Sequence, residues 1–456
     1  MALAPAAVEA LTAAVTGPVL FQGDPGIPAE IGAFNTFPAH NPEVLVAAES
    51  EGDVVAAVRF ALENDLAVRT VSTGHGSPTP IVDGVLVSLR RFHGVSIDPD
   101  ARIAVLRGGT RWGEVIEAAA LHGLAPITGS SATVGAIGYT LGGGLGPLAR
   151  TFGFSSDWAR GFRVVSGEGQ VVVANEFENA DLFWALRGGK GGFGVVTEMT
   201  VELVPLTTLY AGSVLFDAPH IEAVYKRWAD WSSDLPETVT TAVALASFPP
   251  IEAVPEPMRG KTLLAVRYAF IGDAAEGERL FEPIRSAAPV YLDGVRVMSP
   301  ADVAEIHSDP ADPGPSWDRG MMLDRVDGAF VDTLLGAIGP GTHTPIMACE
   351  VRRVGGATER DVPGGSAVGG RGAGYALVLI GAPDPALFDA VLPSVADGLT
   401  AALAPWVSAV TTPNWAGGFG VPGTFEASWP ADTRERLAAI RADYDPAGLF
   451  PFAPSP

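Results

Sequence analysis

Residues 128–157 read TGSSATVGAIGYTLGGGLGPLARTFGFSSD and hold eight glycines, three of them consecutive at Gly142, Gly143 and Gly144. Glycine loses more backbone entropy on folding than any other residue. A run this long and this apolar is kept inside a folded domain where backbone must approach another body closely or take positive φ. A large planar ligand carrying a pyrophosphate is such a body, because successive amide N–H groups can line up on its phosphate oxygens.

Outward from this stretch the chain alternates short elements. Residues 51–64 (EGDVVAAVRFALEN) have helical apolar spacing. Residues 66–73 are β-like and end in the turn Thr73-Gly74-His75-Gly76-Ser77. Residues 85–89 and 102–106 read as strands, and 111–122 as a helix closed by Gly123. Beyond the glycine run, 162–174 form a hairpin, 181–187 (DLFWALR) a helix, 188–194 a loop and 195–204 a strand. Short strands and helices in irregular succession give an α+β signature rather than a βαβ repeat. From 207 to 411 longer strands (211–216, 239–246, 262–271, 345–353, 373–380) alternate with amphipathic helices (221–231, 276–287, 387–403), a second α+β domain with an antiparallel sheet. Residues 354–372 are too glycine-rich for a core and are expected in a surface or active-site loop. The last helix spans 430–441.

Composition narrows the function classes. With 456 residues and 47% hydrophobic content the chain can bury two or more cores. A net charge of −23 disfavours nucleic acid and anionic membrane surfaces. Cys349 is the only cysteine, which rules out an internal disulfide and a thiolate metal cluster. No two histidines stand at metal-ligand spacing, so no metal is expected. Residues 1–17 lack a basic leader and carry Glu9 inside their apolar run, which predicts a short amphipathic helix rather than a signal peptide. No apolar run reaches spanning length. The expectation is a soluble cytoplasmic protein.

Two glycine patterns imitate a dinucleotide fingerprint, Gly189-x-Gly191-x-x-Gly194 and Gly144-x-Gly146-x-x-Ala149. The fingerprint needs a strand before the glycines and a helix after them. At Gly189 the order is reversed, and Gly144 follows loop, so neither is a Rossmann turn. His75, in its glycine-flanked turn, is the candidate functional histidine.

Together these pieces resemble the flavoprotein oxidases with the vanillyl-alcohol-oxidase type, PCMH-type FAD-binding domain, in the berberine-bridge-enzyme-like branch. That branch includes bacterial 6-hydroxynicotine oxidases and polyketide-tailoring oxidases of secondary metabolism. The resemblance is carried by Ser72-Thr73-Gly74-His75, by Thr133-Val134-Gly135 through Gly138 to Leu141-Gly142-Gly143-Gly144, by residues 179–189 (NADLFWALRGG), by 193–197 (FGVVT) and by Tyr444-Asp445-Pro446. It implies that 1–206 and 412–456 form a two-part FAD domain and that 207–411 form a substrate domain over the flavin. It implies FAD contacts from Ser72, Thr73, Gly74, His75, Gly76 and Ser77. Further contacts are implied from Gly129, Ser130, Ser131, Thr133, Val134, Gly135, Gly138, Tyr139, Leu141, Gly142 and Gly143, and from Gly194, Val195, Val196 and Asn414. His75 matches the histidine bonded covalently to the flavin.

The departures carry information too. Ser131 stands where many members have a second tethering cysteine, and a serine hydroxyl is not ionised near pH 7, so a single tether is expected. Thr412-Pro413-Asn414 keeps the family's asparagine and loses its tyrosine. Tyr139, Glu350, Tyr375 and Asn414 are the catalytic candidates, with Arg352 and Arg371 beside them. The implied activity is oxidation of a small organic substrate by hydride transfer to flavin N5, with O₂ as acceptor and H₂O₂ as product. Val134, small and beside the flavin's reactive edge in this resemblance, leaves oxygen a path. The alternatives are a dehydrogenase with another acceptor, a cyclase using the flavin pocket, and a non-catalytic flavin-binding protein.

Overall fold

The structure is a computed structural model and describes residues 3–76, 79–252, 254–416, 421 and 423–452. Three main sheets carry the architecture. The first has four strands in the order Val19–Phe21, Val44–Ala47, Val85–Ser88, Val68–Val71, the last three mutually parallel. Val44–Ala47 and Val85–Ser88 are buried along their whole length, as expected of strands covered on both faces. Helix Glu51–Glu63 packs on this sheet, and Ser50 caps its start by accepting from the Asp53 N–H. The second sheet is antiparallel, in the order Val95–Asp98, Ile103–Arg107, Val195–Glu202, Ala159–Val165, Val171–Asn175.

The third sheet is antiparallel and built from residues 209–381. Its central strands run Leu209–Asp217, Thr262–Phe270, Val239–Ser247, Ile346–Arg353, Tyr375–Gly381, Asp318–Leu323. Helices Ile221–Ser232, Ala274–Arg285, Gly328–Ile338 and Val391–Ala402 cover one face, and Tyr225, Trp228, Phe281 and Phe330 are fully buried there. The opposite face meets the glycine-rich stretch, where Leu145, Ala149 and Phe154 pack with Met322 and Ala376. Strand alternation therefore decides which side chains reach the glycines.

Residues 354–372 form a loop, as expected, with residues 359–361, 363 and 364 exposed, but part of it is inserted into the interior. They hold a short 3₁₀ turn, Gly356–Glu359, and bury Thr358 and Ala367, the latter within the core of the second sheet. Arg371 anchors the segment by donating to Asp157, Ser366 Oγ and the Arg360 carbonyl. The glycines here let backbone press on neighbouring backbone: a Cβ on Gly369 would stand 1.8 Å from the Ser428 carbonyl oxygen. Among the described residues, no helix is long and apolar enough to cross a membrane.

Candidate active site

His75 lies in the turn after Val68–Val71. Gly74 takes φ 68°, and a Cβ there would meet Ala33 at 2.6 Å, so only glycine lets the turn settle on the 33–35 segment. The imidazole stacks on Phe34, with centroids 3.8 Å apart and planes 11° from parallel. Its Nε2 lies 3.1 Å from Thr133 Oγ1, which in turn lies 3.0 Å from Ser131 Oγ. Gly135 N–H donates to Thr73 Oγ1 at 3.2 Å. The turn and the head of the glycine stretch are thus one unit. Burial, and then the nearby Arg111 charge, push the His75 imidazole down to about 4. It is therefore unprotonated at neutral pH.

From Gly135 the chain forms the short helix Ala136–Leu141. Tyr139 is threaded between glycines: a Cβ on Gly144, which has φ 85°, would stand 2.4 Å from its ring. Asn414 closes the other side. Its Nδ2 donates to the Tyr139 carbonyl at 2.7 Å, and its Oδ1 accepts from Lys190 Nζ at 2.7 Å. Thr412 Oγ1 donates to the Gly142 carbonyl. Burial raises the Tyr139 phenol well above its ordinary value, keeping it neutral.

Facing this stretch, the third sheet presents a buried charge cluster. Glu350 Oε1 accepts from Arg352 at 2.7 Å, and Glu350 Oε2 pairs with Arg267. Arg352 also donates to the Leu145 carbonyl at 2.7 Å, meets His307 Nε2 at 3.0 Å and lies over the Trp415 ring. Burial, then Arg267 and Arg352, hold His307 well below its ordinary value. A small cavity of about 10 Å³ opens between Arg267, His307, Arg352, Thr240 and Pro147.

The sequence and structure comparisons join this geometry to known proteins. A model described as an FAD binding domain matches residues 42–175. The chain is 32% identical to (R)-6-hydroxynicotine oxidase of Paenarthrobacter nicotinovorans over 45% of its own length and 46% of that protein. Alignments with the first curated relatives span 42 to 66% of those proteins. The fold matches 6-hydroxy-D-nicotine oxidase from Arthrobacter nicotinovorans at a TM-score of 0.81, with 23% identity and 96% of each chain covered. Berberine bridge enzyme from Eschscholzia californica matches at 0.81, with 17% identity and 98% of each chain covered. The chain thus carries an FAD binding domain match, is similar in part to FAD-linked oxidoreductases, and shares the fold of these oxidases.

The residues present fit FAD, the cofactor named by the matching domain model. Ser72 Oγ, beside Gly135, is buried with no hydrogen-bond partner among the described residues. A Cβ on Gly138 would meet nothing within 4 Å, so the helix presents bare backbone to open space. Gly76 also faces open space; Ser77 lies outside the described residues. Gly129 packs against the Tyr139 ring, and Ser130 Oγ donates to Asp309 at 2.7 Å. Leu141 gives its carbonyl to Lys190 N–H, and Gly143 takes φ 96°. Val134, partly buried, gives its carbonyl to Trp112 N–H. Val195 and Val196 bury their side chains in cores, which leaves backbone alone to face a ligand beyond Gly194.

Tyr375 is a correction. It sits opposite Arg353, and residues paired across strands share a face. That face carries the helices: Tyr375 packs edge-on to Trp228 and meets Ser232 Oγ at 3.2 Å. Tyr375 is thus a core residue, on the side of the sheet away from the glycine stretch. Tyr375→Phe should cost about 1 kcal/mol of stability in urea unfolding and leave flavin content and turnover unchanged. Arg371, bound to Asp157, is likewise an anchor of the 354–372 segment. Sequence reading missed Arg267, His307 and Lys190. Arg267, a lone charge within TLLAVRYAF, was the one with a readable signal.

Proposed function

We propose that this chain is an FAD-dependent oxidase of a small organic substrate, with O₂ as electron acceptor and H₂O₂ as product. In this reading 1–206 and 412–456 hold the cofactor, and 207–411 cover it. The observation that carries it is the joining of the His75 turn to the head of the glycine-rich stretch through Thr133 and Gly135. Bound FAD supplies the two-electron redox chemistry. The chain's own residues orient and enclose it.

His75 provides the covalent anchor, since its neutral ring keeps a free lone pair. Phe34 fixes the ring plane, and Thr133 engages Nε2. Ser131 Oγ meets Thr133 Oγ1, and its un-ionised hydroxyl supports a single tether. Tyr139 offers a neutral phenol as donor. The Glu350–Arg352–Arg267 cluster forms the polar wall on the substrate side and excludes bulk water. The alternative is a dehydrogenase that passes electrons to another acceptor.

Photoreduced enzyme mixed with oxygenated buffer separates the two. The oxidase reading expects flavin absorbance to return within seconds, with one equivalent of peroxide. Reduced flavin that persists for minutes in air would overturn it in favour of the dehydrogenase.

A further inference from the structure

Lys190 is a charged residue in a loop that otherwise reads as glycines and Phe193. Its backbone has φ 68°, a region that favours glycine. The loop is held there: Arg441 donates to the Gly189 and Gly191 carbonyls at 2.9 Å each, and Lys190 N–H donates to the Leu141 carbonyl at 2.8 Å. Glycine would occupy this position with less strain, so the side chain is what the position retains.

That side chain reaches into the cofactor segment. Nζ donates to Asn414 Oδ1 at 2.7 Å and lies 3.3 Å from the Gly138 carbonyl oxygen. Both acceptors are neutral. No carboxylate pairs with Lys190 among the described residues, and burial pushes its ammonium down to about 8. The side chain is half-buried, and a partly desolvated cation held only by neutral acceptors is stabilised by an anion that binds beside it. Gly138, where the helix shows bare backbone to open space, marks where such an anion would sit.

We propose that Lys190 is a cofactor-site cation whose countercharge is an anionic group of the bound cofactor. This rests on the FAD reading above. The anion has two possible sources within FAD. The diphosphate is negative in both redox states; the ring carries negative charge only when reduced.

The test compares wild type with Lys190→Met and Lys190→Arg. One readout is the midpoint potential against a reference dye. The other is FAD affinity in a His75→Ala background, where the cofactor can exchange. If the ring is the partner, Lys190→Met shifts the redox equilibrium at least tenfold toward oxidised flavin, about 30 mV for a two-electron couple, and Lys190→Arg restores it. If the diphosphate is the partner, the potential holds and FAD binds at least tenfold more weakly. Wild-type potential together with wild-type affinity in Lys190→Met overturns the proposal. Should Lys190→Met fail to fold, Lys190→Gly removes the charge while easing the backbone, and the same readouts decide. A wild-type protein without flavin would instead sink the FAD reading itself, and this proposal with it.

Discussion

Acid precipitation of the His75→Ala protein is expected to release all its flavin to the supernatant, whereas the wild-type pellet stays yellow. The imidazole stacks flat on Phe34, meets Thr133 Oγ1 through Nε2 and is held near 4 by burial and by Arg111. At pH 7 it is a neutral base with its lone pair available, in a fixed orientation, which is what a bond to carbon requires. Most of the surface offered to FAD belongs to other residues, such as the bare backbone at Gly138. His75→Ala should therefore still bind the cofactor reversibly. Mass spectrometry of the denatured wild-type chain should show one FAD adduct on a peptide containing His75. Ser131→Ala is the control, and should keep the adduct. Quantitative release of flavin from the wild type would end the covalent reading, and loss of the adduct in Ser131→Ala would mean that the attachment site is elsewhere.

The second large effect concerns Glu350. Its side chain is 8% exposed and stands between Arg267 and Arg352, themselves 14% and 5% exposed. Removing one partner of a buried ion pair leaves an uncompensated charge and costs about 3–5 kcal/mol, whereas an exposed pair is worth about 1 kcal/mol or less. Here two guanidiniums would be left facing each other. Glu350→Ala should thus lose about 3–5 kcal/mol in urea unfolding, and Glu350→Gln, which keeps volume but not charge, should lose nearly as much. A loss below about 1 kcal/mol would show that the cluster is solvated and behaves as a surface pair. The cluster also ties Arg352 to the Leu145 carbonyl, so the same change should loosen the glycine stretch and lower turnover.

What the sequence made legible was local. The His75 turn, the glycine run and the helices flanking them announce themselves through residues near in the chain, and the structure joins them as Thr133–His75 and Gly135–Thr73 contacts. Tyr375 could not be placed that way. Whether it or Ala376 faces the glycine stretch depends on one step of strand register, and Arg353 rather than Arg352 turns out to be its partner. Lys190 was hidden for a different reason. Its Nζ contacts lie 52 and 224 residues away, and beside so many glycines it reads as an ordinary loop lysine. Residues 354–372 are the surface loop their glycines suggest, but the burial of Thr358 and Ala367 within it was not legible, because small residues also let backbone pack on backbone.

The chain's end is woven into its beginning. Val68 N–H donates to the Leu449 carbonyl at 2.7 Å, Gly167 N–H to that of Tyr444, and Arg441 grips the 189–191 loop. Asp445, buried, accepts from the Leu449 and Phe450 N–H groups and fixes this return. During synthesis, then, the first two sheets emerge long before the strand-end partners that finish them. The ribosome adds roughly 5–20 residues per second, so the third sheet and its helices hold the early segments waiting for on the order of ten to forty seconds. Asn414 and the 441–450 segment leave the exit tunnel more than 200 residues after the His75 turn and the glycine-rich stretch. Stable loading of the cofactor is accordingly expected only after residues 441–450 have emerged, and a message truncated before codon 445 is expected to yield a chain whose first 200 residues are fully made but not closed.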